Sequence, residues 1–257
     1  MELGEKKTIG ARNFLYPMPT VLVSADVNGK PNYLTVAFCG IVQAGPPMIA
    51  VTLGKMHYTN EGIRENKCFS VNIPSRHMLE VTDYCGIVSG KKADKSDIFR
   101  SFYGKLGKAP MIHECPVNLE CRLVDTLDFG GGSEVFIGEI LESYAEEKYL
   151  CNGIPDVEKI EPIVFSMYDN NYWGIGEHLG KAWHSGKKFS QNINEDRFDF
   201  YGTAGGYLIK ITVFSGSHKG REGNTLIMVE EFLKGAEEAG AETENSREKY
   251  QALQGEI

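Results

Sequence analysis

The chain has 257 residues, 42% of them hydrophobic and 24% charged, the balance of a soluble globular protein with one large domain or a domain plus an extension. Its formal charge of −8 is not offset by any basic face, which argues against general binding to nucleic acid or to a membrane surface. The opening Met-Glu-Leu-Gly-Glu-Lys-Lys lacks the apolar core of a signal peptide, and no apolar run approaches the roughly 18 residues of a spanning helix, so a cytoplasmic protein is expected.

Tyr16-Pro-Met-Pro19 is an extended lead-in, because its prolines exclude a helix. Residues 20–26 (Thr-Val-Leu-Val-Ser-Ala-Asp) predict a strand, and Asn28-Gly29 is a type I′ turn signal. A second strand is expected over 33–42, broken by Gly45-Pro-Pro47, and a third over 48–53. Three β segments with such short connections predict an antiparallel meander and not a βαβ unit. A short helix over 60–66, a strand over 68–73 and a helix over 77–84 follow. Residues 86–96 form a polar loop carrying Lys91, Lys92 and Lys95. Two long strands, 117–127 and 134–144, flank Gly130-Gly-Gly132 as a hairpin, and 163–167 adds a last strand. Six or seven antiparallel strands with few helices predict a mainly β, closed or nearly closed barrel.

The character changes after Lys188. Residues 189–206 read as a polar linker, 207–214 as a strand, 215–225 as a loop and 226–239 as an amphipathic helix with Leu226, Val229, Leu233 and Ala236 on one face. Residues 242–257 are a charged tail poor in core residues, so this piece is expected to be a β-loop-α unit without partner strands.

Cys39, Cys68, Cys85, Cys115, Cys121 and Cys151 include no Cys-x-x-Cys pair and read as reduced thiols packed as small hydrophobes. His113 and Cys115 lack a second ligand pair, so no metal site is expected. Gly174-x-Gly176-x-x-x-Gly180 has the wrong spacing for a dinucleotide loop, and neither a Gly-x-Ser-x-Gly elbow nor a P-loop is present.

The stretch 32–60 is the most informative. Two β runs lead into Lys55-Met-His-Tyr-Thr-Asn60 at the start of a helix. A helix start offers free N–H groups to an anion, and Thr59 and Asn60 add side-chain donors. A threonine there is also the residue type of an N-cap, and both uses share one helix end. Likewise, the three loop lysines suit either solvent or a phosphate.

Several passages together resemble the flavoredoxin group of the flavin reductase-like, FMN-binding split-barrel family. They are Tyr16-Pro-Met-Pro19, Asn32-x-Leu-Thr-Val-Ala37, His57-Tyr-Thr-Asn60, Phe69-Ser-Val-Asn72-Ile, Asp83-Tyr-Cys-Gly-x-x-Ser89-Gly-Lys, Glu114-Cys-Pro-Val-Asn-Leu-Glu120, Gly138-Glu-Ile and Tyr172-Trp-x-x-Gly176. They run in the family's order over residues 12–188. The resemblance implies a Greek-key split barrel with short flanking helices, a homodimer with FMN near the subunit interface, and redox chemistry at the flavin. Thr35, Val36 and Ala37 would line the flavin ring, and His57, Thr59 and Asn60 would hold the ribityl phosphate. Ser89, Gly90 and Lys91 would close over the cofactor, with Lys95 a further phosphate ligand. No separate catalytic residue is implied, because hydride and electron transfer belong to the flavin.

Two roles follow: a flavin or ferric reductase using NAD(P)H, or an electron carrier serving a redox partner or small-molecule acceptor. A non-catalytic flavin-binding or interaction protein is the alternative from another class. The C-terminal piece, with Val213-Phe-Ser-Gly-Ser217 and Gly223-Asn-Thr225, resembles the opening of an NADPH-dependent FMN reductase or iron–sulfur flavoprotein of flavodoxin-like fold. In that resemblance Ser215, Ser217, Asn224 and Thr225 would cradle a phosphate. One strand and one helix cannot build the parallel sheet such a site needs, so residues 207–257 read as a truncated appendage to a 1–188 barrel domain.

Overall fold

A computed structural model describes residues 4–187, 189, 210–213, 234 and 242–245. The chain divides into two units, residues 1–178 and 179–257.

In the first unit β1 (Met18–Pro19), β2 (Val21–Val27), β3 (Lys30–Val36), β4 (Cys39–Ala44) and β5 (Pro47–Gly54) precede α1 (Thr59–Asn66) and β6 (Cys68–Ile73). Then come α2 (Leu79–Ile87), β7 (Ser101–Phe102), β8 (Met111–Ile112), β9 (Val117–Leu127) and β10 (Ser133–Ala145). The unit closes with β11 (Leu150–Cys151), β12 (Ile154–Pro155), α3 (Val157–Ile160), β13 (Val164–Ser166) and β14 (Asn171–Trp173).

Seven strands form one antiparallel sheet in the order β3-β2-β6-β9-β10-β5-β4. The three opening strands are therefore not a meander. The β2–β3 and β4–β5 hairpins lie at opposite edges of the sheet, and the expected single strand over 33–42 is two strands. Between them Ala37 and Phe38 carry the chain from one edge to the other, and Thr52 N–H donates to Phe38 O at 2.8 Å. That crossing brings the two edges together and makes the sheet a split barrel. The 163–167 segment lies outside this barrel, in a small sheet ordered β1-β13-β14.

Strand β2 is buried on both faces, which explains why its apolar residues do not alternate with exposed polar ones. Val21, Val23 and Ala25 face the barrel core with Leu34, Val51, Phe69 and Phe136. Leu22 faces outward into a second cluster with Tyr33, Met78, Cys85, Phe99 and Ile112, under α2 and the 97–115 segment. The polar residues of that outer face are satisfied by a buried network: Asn72 Nδ2 donates to Leu22 O at 2.9 Å and to Ser24 Oγ at 3.0 Å, and Tyr103 Oη donates to Asp26 at 2.9 Å.

Helix α1 plugs one end of the barrel. Its Gly62 packs so closely on β2 that a Cβ there would lie 2.1 Å from Asp26 O, so only glycine fits. Glu134 of β10, itself buried, receives Arg64 and Asn60 and so ties the helix to the opposite wall.

In the second unit β15 (Lys210–Val213) pairs in parallel with β16 (Glu242–Asn245). The charged run at 242–245 is therefore a strand, and β15 does have a partner. Backbone pairing overrides the low strand propensity of Glu and Asn there. Ser215, Ser217, Asn224 and Thr225 lie outside the described residues.

Candidate cofactor site

Three segments converge at the α1 end of the barrel. They are strand β3 with its exit at Ala37, the 54–60 connection into α1, and the end of α2 with the loop after it.

Strand β3 is a sheet edge, so one side carries backbone N–H and C=O groups without a strand partner. Val36 points into the core and its backbone pairs with Val21 of β2, so the free edge is carried by the backbone of Thr35 and Ala37. Thr35 is half-buried beneath α2: its hydroxyl donates to Thr82 O, and a Cβ on Gly86 would stand 3.3 Å from Thr35 Cβ. Ala37 is half-buried and Phe38 is exposed at the edge.

At the entry to α1, Tyr58 and not Thr59 is the N-cap residue, and no side chain caps the helix. Thr59 is buried, with its hydroxyl oxygen accepting from Asn32 Nδ2 at 2.8 Å. Asn60 is fully buried: its amide donates to Gly54 O at 2.9 Å and to Glu134 at 3.0 Å. Its one unpartnered side-chain atom is an oxygen acceptor, the wrong polarity for a phosphate. The side chain of Asn60 is thus a brace for the helix start. His57 is exposed, its ring lies against Gly54, and its backbone N–H donates to Gly54 O at 3.0 Å. Partial burial and then the positive charge of Lys95 pull its pKa below the ordinary histidine value.

In the loop after α2, Ser89 is exposed and its carbonyl accepts from Lys92 and Ala93 N–H at 2.9 and 3.1 Å. Gly90 fits against strand and helix entry together, for a Cβ there would meet Asn32 Oδ1 at 2.1 Å and Tyr58 Cδ1 at 2.7 Å. Lys91 pairs with Glu61 at 2.7 Å and lies 6.0 Å from the centre of the Tyr58 ring. Lys95 borders the same surface, but its ammonium is committed elsewhere. It is 2% exposed and its ammonium donates to Tyr33 O, to Cys85 O at 3.2 Å and to Val88 O at 2.9 Å. Three donors meet three carbonyls, so Lys95 has no hydrogen left for a phosphate.

These parts enclose a cleft of about 330 Å³ between the β2–β3 turn, Tyr58 and residues 90–95. Asn28, Lys30, Asn32, Tyr58 and Lys92 line it beside Gly90 and Lys91. Sequence reasoning gave no role to the first four, while Lys92 stood among the three loop lysines suited to a phosphate. Asn28 and Lys30 were hidden as hairpin turn residues, while the buried polar Asn32 inside a strand was a readable signal. Lys30 pairs with Asp94 at 2.6 Å and draws the Asp94 carboxyl well below its ordinary pKa. A larger cleft of about 480 Å³ lies between Tyr16-Pro17 and β13–β14, lined by Phe165, Trp173 and Ile175. It has no cationic side chain in its wall, so of these two clefts the smaller suits a phosphate.

Among the described residues no three His, Cys, Asp or Glu side chains stand together as a metal site. Burial pushes the thiols of Cys39 and Cys85 up to about 12 and about 11, so neither is a nucleophilic thiolate at neutral pH. The site therefore offers binding groups, and neither of these cysteines gives it a thiolate.

Barrel and cleft together define a flavin-binding oxidoreductase built on a split barrel. The chain belongs to the flavin reductase-like domain family, whose model matches residues 12–152. A flavoredoxin from Methanosarcina acetivorans is 49% identical and superposes with a TM-score of 0.71, covering 72% of this chain and 100% of that one. The flavoredoxin of Desulfovibrio vulgaris (Miyazaki F) is 36% identical with a TM-score of 0.66, over 71% of this chain and 100% of its own. The reductase component of a 4-nitrophenol 4-monooxygenase/4-nitrocatechol 2-monooxygenase from Rhodococcus opacus is 26% identical over 48% of this chain and 64% of its own.

Proposed function

We propose that the protein is an FMN-dependent oxidoreductase of flavoredoxin type, a cytoplasmic homodimer that accepts electrons or hydride from NADH or NADPH. It passes them to a redox partner or small-molecule acceptor. The observation that carries this reading is the spacing along β3. The free edge at Thr35–Ala37 and the lysine-lined cleft at Asn32 are three residues apart, about 10 Å in an extended strand. That interval suits the ring and the phosphate of one flavin mononucleotide joined by its ribityl chain.

The residues present fit that cofactor. Backbone groups of Thr35 and Ala37 would pair with the polar edge of the ring, with Val36 between them anchoring the strand to β2. Lys91 and Lys92 would neutralise the phosphate, with hydroxyl donors from Ser89 and Tyr58. His57 stands at the same helix entry as a neutral imidazole, ready to take up a proton when a dianion approaches. Thr59 and Asn60 act behind this surface by fixing the helix entry. When bound, the flavin supplies the hydride and electron transfer.

Support for the dimer comes from apolar side chains without cover. Ile41 and Val42 on edge strand β4 are 68% and 53% exposed, and Met56 and Phe129 are each 82% exposed. Lys55 joins the last two, pairing with Asp128 at 2.7 Å and donating from its backbone to Gly132 O at 3.0 Å. A second copy covering these residues would remove them from water. Among the described residues no helix is long and apolar enough to cross a membrane.

Anaerobic addition of NADH or NADPH to the FMN-loaded protein tests the activity. Bleaching of the flavin band with either supports the reductase. No bleaching with both, but rapid reduction by dithionite, supports a carrier. Failure to bind FMN would overturn both and leave an interaction protein.

A further inference from the structure

One buried charge of the barrel unit spends all its hydrogen bonds on the protein's own backbone. Lys95 is 2% exposed, yet its ammonium reaches three carbonyls on three pieces of chain. Tyr33 O belongs to β3, two residues before Thr35. Cys85 O belongs to the last turn of α2, where helix carbonyls have no intrahelical partner, and Val88 O is the first carbonyl beyond that helix. A cation at a helix C-terminus is favoured by the macrodipole, and burial strengthens each of these contacts.

We propose that Lys95 is the positioning residue for the phosphate end of the flavin site. It touches no cofactor and instead locks the 88–95 loop, and with it Ser89, Gly90 and Lys91, against strand β3. This rests on the FMN reading above, and it reassigns Lys95 from ligand to clamp.

Two further observations agree. Gly90 is already seated to van der Waals closeness on Asn32 and Tyr58, so a loop released from Lys95 has no looser arrangement that keeps this contact. The β3 side of the clamp is itself rigid: Tyr33 is fully buried, its ring packs edge-on against Phe99 at 5.0 Å, and its hydroxyl bonds Ser101. The loop is therefore held to a well-packed wall. A neutral side chain at 95 would leave three buried carbonyls without donors, whereas arginine could satisfy at least two.

The test compares FMN with riboflavin, which lacks the phosphate, on wild type, Lys95→Met and Lys95→Arg. The expected result for Lys95→Met is a Kd for FMN raised at least tenfold, with riboflavin changed less than threefold. Lys95→Arg should recover most of the FMN affinity. Equal losses for both flavins would mean only general destabilisation, and unchanged FMN affinity would remove the positioning role; either overturns the proposal.

Amide exchange on the flavin-free wild type gives an independent arm if Lys95→Met does not fold. Residues 89–92 should open together with the last turn of α2. Exchange of 89–92 at the rate of an unconstrained loop, while α2 stays protected, would refute the clamp. If wild type binds no FMN, the cofactor reading fails, and this exchange experiment still decides whether Lys95 holds the loop.

Discussion

Gly90→Ala probes the proposed phosphate site with the smallest possible change. The added methyl would sit 2.1 Å from Asn32 Oδ1 and 2.7 Å from Tyr58 Cδ1. Restoring ordinary contact at 3.4 Å requires a shift of more than 1 Å in either the loop or Asn32. Asn32 is poorly placed to give way, because it is buried and its amide holds Thr59 Oγ1 at 2.8 Å; losing that bond costs about 1 kcal/mol. Displacement of the loop carries Ser89 and Lys91 with it. One charge-assisted hydrogen bond to the phosphate is worth about 1.5–3 kcal/mol, so the Kd for FMN should rise about 10- to 100-fold. Flavin fluorescence quenching measures this, with riboflavin as the control that should change little. An FMN affinity within twofold of wild type, at unchanged thermal stability, would refute the placement of the phosphate in this cleft.

Asn60→Ala removes two buried hydrogen bonds and part of the support for Glu134, and should lower stability by about 2–3 kcal/mol in urea unfolding; a neutral result would show that Asn60 is no brace. His57 should titrate below the ordinary histidine value without flavin and at a higher pH with FMN bound, seen by NMR. A pKa raised by binding means proton uptake, so FMN affinity should increase as pH falls from the bound to the free value; a pH-independent affinity would contradict it. Deleting residues 207–257 should leave one FMN per chain by absorbance, and a higher ratio in the full chain would assign a flavin to the second unit. Ile41→Lys with Val42→Glu should shift the protein to monomer in sedimentation, because both side chains stand on the uncovered edge strand.

What the sequence made legible was local. Strands 68–73 and 117–127 coincide with β6 and β9, and the Asn28-Gly29 turn adopts the positive φ its residues predict, 52° and 76°. Sheet order was not legible, because antiparallel strands joined by short turns fit both a meander and two hairpins set at opposite edges. Only the crossing at Ala37 and Phe38 decides between them. The site divided along the same line. The segments that converge were named by their motif residues, but the direction of each side chain was not. Thr59, Asn60 and Lys95 carry donors suited to a phosphate, and burial turns all three inward to Asn32, Glu134 and backbone carbonyls. Residue type announces a capacity for hydrogen bonding, while tertiary packing chooses the partner.

A crystal structure of the protein with FMN is the most direct test of the central claim. The account predicts the phosphate between Tyr58 and Lys91, and the ring along the backbone of Thr35–Ala37. A flavin seated instead between Tyr16 and Trp173, or with its phosphate away from the lysine-lined cleft, would contradict it.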